Sequence, residues 1–113
     1  MNKTTEQEKF WKGNFGDSYT SRTSVNTKKQ VASNISLFNH AIKNVSNLSS
    51  IIEFGCNCGL NLHALRELLP ESKITGIEIN DSSADIVDAW GGAEVIRGSI
   101  SDVIIDKKFD MSF

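Results

Sequence analysis

The segment that most constrains this chain is Ile51-Ile52-Glu53-Phe54-Gly55-Cys56-Asn57-Cys58-Gly59-Leu60-Asn61. It is a short apolar run, a turn bounded by two glycines and the start of an amphipathic run. That order predicts a strand over Ser50–Phe54, a tight loop over Gly55–Gly59 and a helix over Leu60–Leu69. Gly55 permits unusual backbone angles and the close approach of a ligand, and Gly59 gives a second such point where the helix begins. Amides at a helix start lack helical acceptors and can face an electronegative group.

The flanking sequence repeats the alternation. Leu62, Leu65, Leu68 and Leu69 are expected to face inward, and Pro70 ends their helix. Lys73–Ile79 reads as a second strand. Asn80 or Asp81 is expected to cap a helix carrying Ile86, Val87 and Trp90, which Gly91-Gly92 ends. Ala93–Arg97 reads as a third strand, and Phe109–Phe113 begins a fourth. Strand, helix, strand, helix, strand signals a parallel α/β sheet with right-handed crossovers. A ligand then sits beyond the carboxyl ends of the strands, where the sheet order reverses and the Gly55–Gly59 loop lies.

Upstream, a short helix is expected over Thr4–Lys12, broken by Gly13 and Gly16, then a second over Asp17–Arg22. A longer helix spans roughly Asn26–Val45, with Val31, Ile35, Phe38 and Ile42 in one stripe. Residues 1–46 therefore read as a helical lid segment, and residues 47–113 as an incomplete Rossmann-like domain that stops inside its fourth strand.

With 113 residues and a net charge of −2, the chain fits one domain and shows no basic stripe for nucleic acid. No run approaches the ~20 apolar residues that span a bilayer. The polar N-terminus lacks a signal-peptide core, which makes the cytoplasm the expected location. Cys56 and Cys58 are one residue apart, too close for an unstrained mutual bridge, and two ligands do not close a zinc site. Reduced thiols and no metal are expected. His40 and His63 have no obvious catalytic partner and read as surface or packing residues. Asp102 and Asp106 read as a solvated loop.

The dinucleotide fingerprint asks for G-x-G-x-x-G, but Asn57 stands where its middle glycine would be, and the lysine of a P-loop is absent. The loop suits a nucleoside-like ligand without a pyrophosphate. Glu78 ends the second strand, 23 residues after Gly55. A carboxylate there can accept from both hydroxyls of a ribose.

Taken together, the blocks E-F-G-C-N-C-G, Gly76-Ile77-Glu78-Ile79, Arg97-Gly98-Ser99-Ile100 and Phe109-Asp110-Met111-Ser112-Phe113 resemble, in order and interval, the motifs of class I S-adenosylmethionine (SAM) dependent methyltransferases. They cover about half of such a domain. The opening, Phe10-Trp11-Lys12-Gly13-Asn14-Phe15-Gly16-Asp17-Ser18-Tyr19, is similar to that of methylases associated with pseudaminic acid biosynthesis, although Thr23 follows Arg22 where that pattern has Asn. The resemblance implies a Rossmann-like SAM methyltransferase fold and SAM as cofactor. It implies that Glu53 orients the glycine loop and the amine end of the ligand. Gly55, Cys56 and Gly59 would line its methionine part. Glu78 would bind the ribose, with Ile79 on the adenine and Ser99 and Ile100 flanking it. Tyr19 and Arg22 would form a lid. The acceptor would be a small molecule or glycan, with no nucleic acid and no membrane involved.

In this fold the acceptor site forms after the fourth strand, so no catalytic base is named. The chain is expected to act with a missing C-terminal half or as a homodimer, and to be inactive alone. Two other functions compete: a non-catalytic SAM- or nucleotide-binding scaffold, and a nucleotide-dependent oxidoreductase, against which Asn57 argues.

Overall fold

The computed structural model describes residues 4–24 and 27–113, with side chains in the first segment to residue 21. Three helices come first: α1 (Glu6–Lys12), α2 (Asn14–Ser24) and α3 (Thr27–Ile42). The alternating part follows as β1 (Ser50–Phe54), α4 (Leu60–Leu68), β2 (Lys73–Glu78), α5 (Asp81–Trp90), β3 (Glu94–Arg97) and β4 (Met111–Ser112). The strands form one sheet in the order β3-β2-β1-β4, and every pairing is parallel. β1 is therefore internal, and the order reverses beside it, between β1 and β4. The fold is Rossmann-like α/β with N-terminal helices.

The core forms because β1 and β2 are apolar along their length, as strands covered on both faces must be. Ile51, Ile52, Ile74 and Ile77 are fully buried, and Leu62, Leu65 and Val87 bring α4 and α5 onto them. The stripe Val31, Ile35, Phe38 and Ile42 is half-buried, and α3 lays it against α4 and the core, which Phe38 touches. Of the four leucines expected to face inward, Leu62 and Leu65 are fully buried, while Leu68 and Leu69 are half-buried.

Several boundaries differ from those read in the sequence. Gly13 ends α1, but Gly16 lies inside α2 and breaks nothing. A Cβ at Gly16 would meet the Trp11 carbonyl oxygen at 1.7 Å, so this glycine lets α2 fold back against the end of α1. β2 stops at Glu78, because the Glu78 side chain itself accepts the Asn80 amide and turns the chain. β4 shrinks to two residues. Asp110 stays outside it and instead clasps the start of β1, its carboxylate accepting from the amides of Ser49 at 2.8 Å and Ser50 at 3.2 Å. No described helix is long and apolar enough to cross a membrane.

Candidate functional site

A cleft of about 1010 Å³ opens at the carboxyl ends of β1, β2 and β3, roofed by α1, α2 and the first part of α3. It lies at the upper end of ordinary ligand pockets, roughly 300–1,000 Å³. Its floor is the Gly55–Gly59 loop. The amides of Gly55 and Cys56 both donate to the Ile77 carbonyl, at 2.8 and 3.0 Å, which fastens the loop to β2. Gly55 sits at φ +77° and a Cβ there would touch nothing, so conformation, not space, requires the glycine. At Gly59, φ +87°, a Cβ would approach Val87 to 3.1 Å. This glycine lets α4 pack on α5, and it stands outside the cleft lining.

Asn57 occupies the position that the dinucleotide pattern gives to glycine. Its φ is +52°, a left-handed conformation that Asn tolerates better than other side chains. The side-chain oxygen accepts from the Cys58 amide at 2.6 Å and lies within hydrogen-bond distance of the Thr20 hydroxyl of α2, at 3.2 Å, and the Ser83 hydroxyl of α5, at 3.3 Å. The amide of Asn57 donates to Glu78 at 2.7 Å. Asn57 thus closes the loop and ties it to three other elements.

Two buried carboxylates stand over this floor. Glu78 is held by the Asn57 amide on Oε1 and by the Asn80 amide, at 2.8 Å, on Oε2. Each oxygen keeps a second lone pair, so the group can still accept from two hydroxyls. Glu53 is 5% exposed; its Oε2 accepts from Asn61 at 2.6 Å, while the buried Oε1 has no partner among the described residues. Burial pushes the Glu53 carboxyl up to about 7, and the neighbouring Glu78 adds to the rise that the Asn61 amide opposes. An orphaned buried acceptor is costly, and a ligand ammonium would satisfy it. α4 opens beside Glu53 without a side-chain cap, so its first amides also lack helical acceptors.

The roof is attached by polar contacts. Asn80 caps α5 through the Ser83 amide, and its Nδ2 donates to the Trp11 and Lys12 carbonyls and to Asp17, at 3.0, 3.2 and 3.0 Å. Thr20, itself buried, bonds Ser83 at 2.5 Å. Glu8 of α1 meets the Ser99 hydroxyl at the far end of the cleft, a contact that holds the Glu8 carboxyl below its ordinary range.

Of the residues expected in the site, Glu53, Gly55, Cys56, Glu78, Ile79, Ser99, Ile100 and Tyr19 line the cleft. The side chain of Arg22 lies outside the described residues. Cys56 contributes to the wall, but its sulfur packs over Gly76 of β2, and burial pushes the thiol far up. Cys56 and Cys58 are both buried. Ser99 gives its proton to Glu8 and accepts from the Ser101 amide at 3.1 Å, so the hydroxyl is already engaged. Tyr19 packs edge-on against Trp11. His63 stacks on Trp90 at 3.7 Å, a packing role. No group of three or more metal-ligating side chains occurs among the described residues.

Sequence reasoning missed Asn57, Asn61, Asn80 and Glu8 as site residues. The available signal was Thr5-x-x-Glu8, a capping-box pattern, which forms here and points Glu8 along α1. For the asparagines the only clue was their density around the loop.

No family model matches the chain, and no curated protein matches it significantly. Solved structures do. The plantazolicin methyltransferase BpumL in complex with SAH aligns over 93% of this chain and 43% of its own, with a TM-score of 0.69 and 17% identity. Coclaurine N-methyltransferase bound to N-methylheliamine and SAH aligns over 74% of this chain and 26% of its own, with a TM-score of 0.62 and 13% identity. The StiE O-methyltransferase aligns over 68% of this chain and 30% of its own, with a TM-score of 0.54 and 20% identity. The chain thus has the fold of these methyltransferases and spans less than half of their length.

Proposed function

We propose that the cleft binds S-adenosylmethionine and that the chain is the cofactor-binding portion of a SAM-dependent methyltransferase. One observation carries this reading: two buried carboxylates flank one glycine-bounded loop, Glu53 with an unsatisfied oxygen and Glu78 with both oxygens anchored. An elongated ligand with an ammonium at one end and a ribose diol in the middle answers both. NAD would set a pyrophosphate against this pair of carboxylates, an electrostatic mismatch. The shared fold with three methyltransferases supports the same choice.

On this reading Glu53 takes the ligand ammonium, and Gly55 and Cys56 bound the methionine part, while Gly59 shapes the turn from behind the lining. Glu78 accepts from the ribose hydroxyls, Ile79 and Ile100 flank the base, and Ser99 stands at its edge. Tyr19 and Arg22 belong to the lid, residues 1–46, over the binding unit, residues 47–113. SAM brings an activated methyl group on its sulfonium; the chain binds it, aligns it and excludes water. The acceptor is a small molecule, and the N-terminal F-W-x-G-x-F-G-x-x-Y pattern favours a glycan of the nonulosonic type. Acceptor contacts come from further chain or from a second copy, and the paired reduced thiols fit a cytoplasmic setting.

Calorimetric titration tests the cofactor assignment. S-adenosylhomocysteine (SAH) is expected to bind the chain, and Glu78→Ala to weaken it roughly 10- to 100-fold, as loss of hydrogen bonds to a charged group does. NADH is expected not to compete. Absence of SAH binding at millimolar ligand, or displacement of SAH by NADH, would overturn the assignment.

A further inference from the structure

We infer that Glu8, carried by α1, determines specificity in this cleft: its carboxylate reads the amino edge of the nucleobase and selects adenine over a base with an oxo group there. The inference rests on the cofactor reading above.

The sheet order places the ends of β1, β2 and β3 in a row, neighbours about 4.8 Å apart. The cleft therefore runs from Glu53 and the glycine loop, past Glu78, to the segment Gly98–Ser101. A ligand with its ribose at Glu78 and its ammonium at Glu53 must put its base at the third position. There the apolar side chains are Ile79 and Ile100, and the polar groups that meet are Ser99 and Glu8. The Ser99 hydroxyl is engaged on both sides, by Glu8 and by the Ser101 amide. The remaining acceptor capacity belongs to Glu8, since a carboxylate offers about four lone-pair sites. Only two partners are recorded on it in the described structure, the Thr5 amide on Oε2 at 2.7 Å and Ser99 on Oε1.

Glu8 is also held in place. The Thr5–Glu8 capping box fixes its rotamer from one side, and Ser99 from the other. Its lowered pKa keeps it ionised at neutral pH, so it accepts and does not donate. An exocyclic amine gains a charge-assisted bond there, whereas an oxo group faces a like-charged oxygen. A discrimination of roughly 10- to 100-fold is the ordinary reward of one hydrogen bond to a charged group.

The test compares SAH with its 6-oxo analogue, S-inosylhomocysteine, by calorimetry on the full chain. Wild type is expected to favour SAH at least tenfold. Glu8→Gln keeps the capping box, which Gln also completes, and is expected to bring the two ligands within about threefold. Ser99→Asp added to Glu8→Gln puts a carboxylate back at the same edge and is expected to restore the preference. Wild-type indifference to the 6-oxo group overturns the inference without recourse to any variant. So does an unchanged preference in Glu8→Gln that still binds SAH. Failure of wild type to bind either ligand instead overturns the cofactor reading beneath it.

Discussion

Glu53 makes the stability of the chain pH-dependent in an unusual direction. Its carboxyl is held at about 7 in the fold against an ordinary 4.5, first by burial, with Asn61 opposing and Glu78 adding to the rise. Between those values the folded chain keeps a proton that the unfolded chain has lost. Stability therefore falls as pH rises from about 4.5 to 7, and stays lowered above that. At 1.36 kcal/mol per pH unit, the full penalty is about 3 kcal/mol. Glu53→Gln keeps the shape and removes the titration. The difference in unfolding free energy between variant and wild type should be constant near pH 4, widen through pH 5–7 and level off near pH 8. There the variant gains about 3 kcal/mol relative to its standing at pH 4, or roughly 10–15 °C in melting temperature. His63, lowered by burial, works the other way: its contribution grows as pH rises toward 6.5. It is common to both proteins and cancels in the difference. Urea titrations from pH 4 to 8.5 read the effect. Parallel curves for the two proteins across that range would refute the account of Glu53 as a buried, unsatisfied carboxylate. With SAH bound, the ligand ammonium supplies the missing partner, and the wild-type penalty above pH 7 should shrink while the variant gains less from the ligand.

Substitutions at three further positions probe the site's supports. Asn57→Ala loses the bonds to Cys58, Thr20 and Ser83 and puts a Cβ residue without side-chain compensation at φ +52°, so a loss of about 2–3 kcal/mol is expected by denaturant unfolding, with Asn57→Gly losing about 1 kcal/mol less. Gly76→Ala drives a Cβ to 2.5 Å from the Cys56 sulfur and 3.0 Å from Leu62, and is expected to cost about 2–3 kcal/mol in the same assay. Asn80→Asp keeps the cap on α5 but removes the donor to Trp11 and Lys12 and sets two carboxylates together at Asp17. Hydrogen exchange should quicken across α1 and α2 while β1 and β2 stay protected.

How much of this was legible follows from which forces set each part. The sheet was readable because β1 and β2 are unbroken apolar runs, and burial on both faces leaves such runs few alternatives. The stripe on α3 was readable because one face meets α4, which gives a helical period. The two carboxylates were readable because Glu78 ends β2 and Glu53 stands one residue before the end of β1, at the edge where ligands of such sheets bind. What could not be read were contacts made by polar side chains across long separations. Nothing local in Asn80 tells that its amide reaches Trp11, 69 positions away. Nothing local in Glu8 tells that it meets Ser99, 91 positions away. Cys56 was expected in the ligand wall. The sequence could not show that Gly76 opens a hole beneath it, which the sulfur fills.

The floor and the roof of the cleft are therefore held by different forces. The floor rests on fully buried isoleucines and leucines, each worth roughly 1.5–3 kcal/mol of burial. The roof begins with α1, which buries no residue, and its aromatic side chains Phe10, Trp11 and Phe15 stack on one another while remaining 37–49% exposed. Hydrogen bonds through Asn80, Thr20 and Glu8 join α1 and α2 to the floor. Net, the neutral bonds through Asn80 and Thr20 are worth about 1 kcal/mol each, less than a core residue. On the cofactor reading such an attachment is expected to open before the sheet does, with Glu53 and Glu78 staying in place. A ligand that bonds Glu8 from within the cleft would add its own contact to that set, and protection of α1 from hydrogen exchange should then rise with S-adenosylhomocysteine concentration.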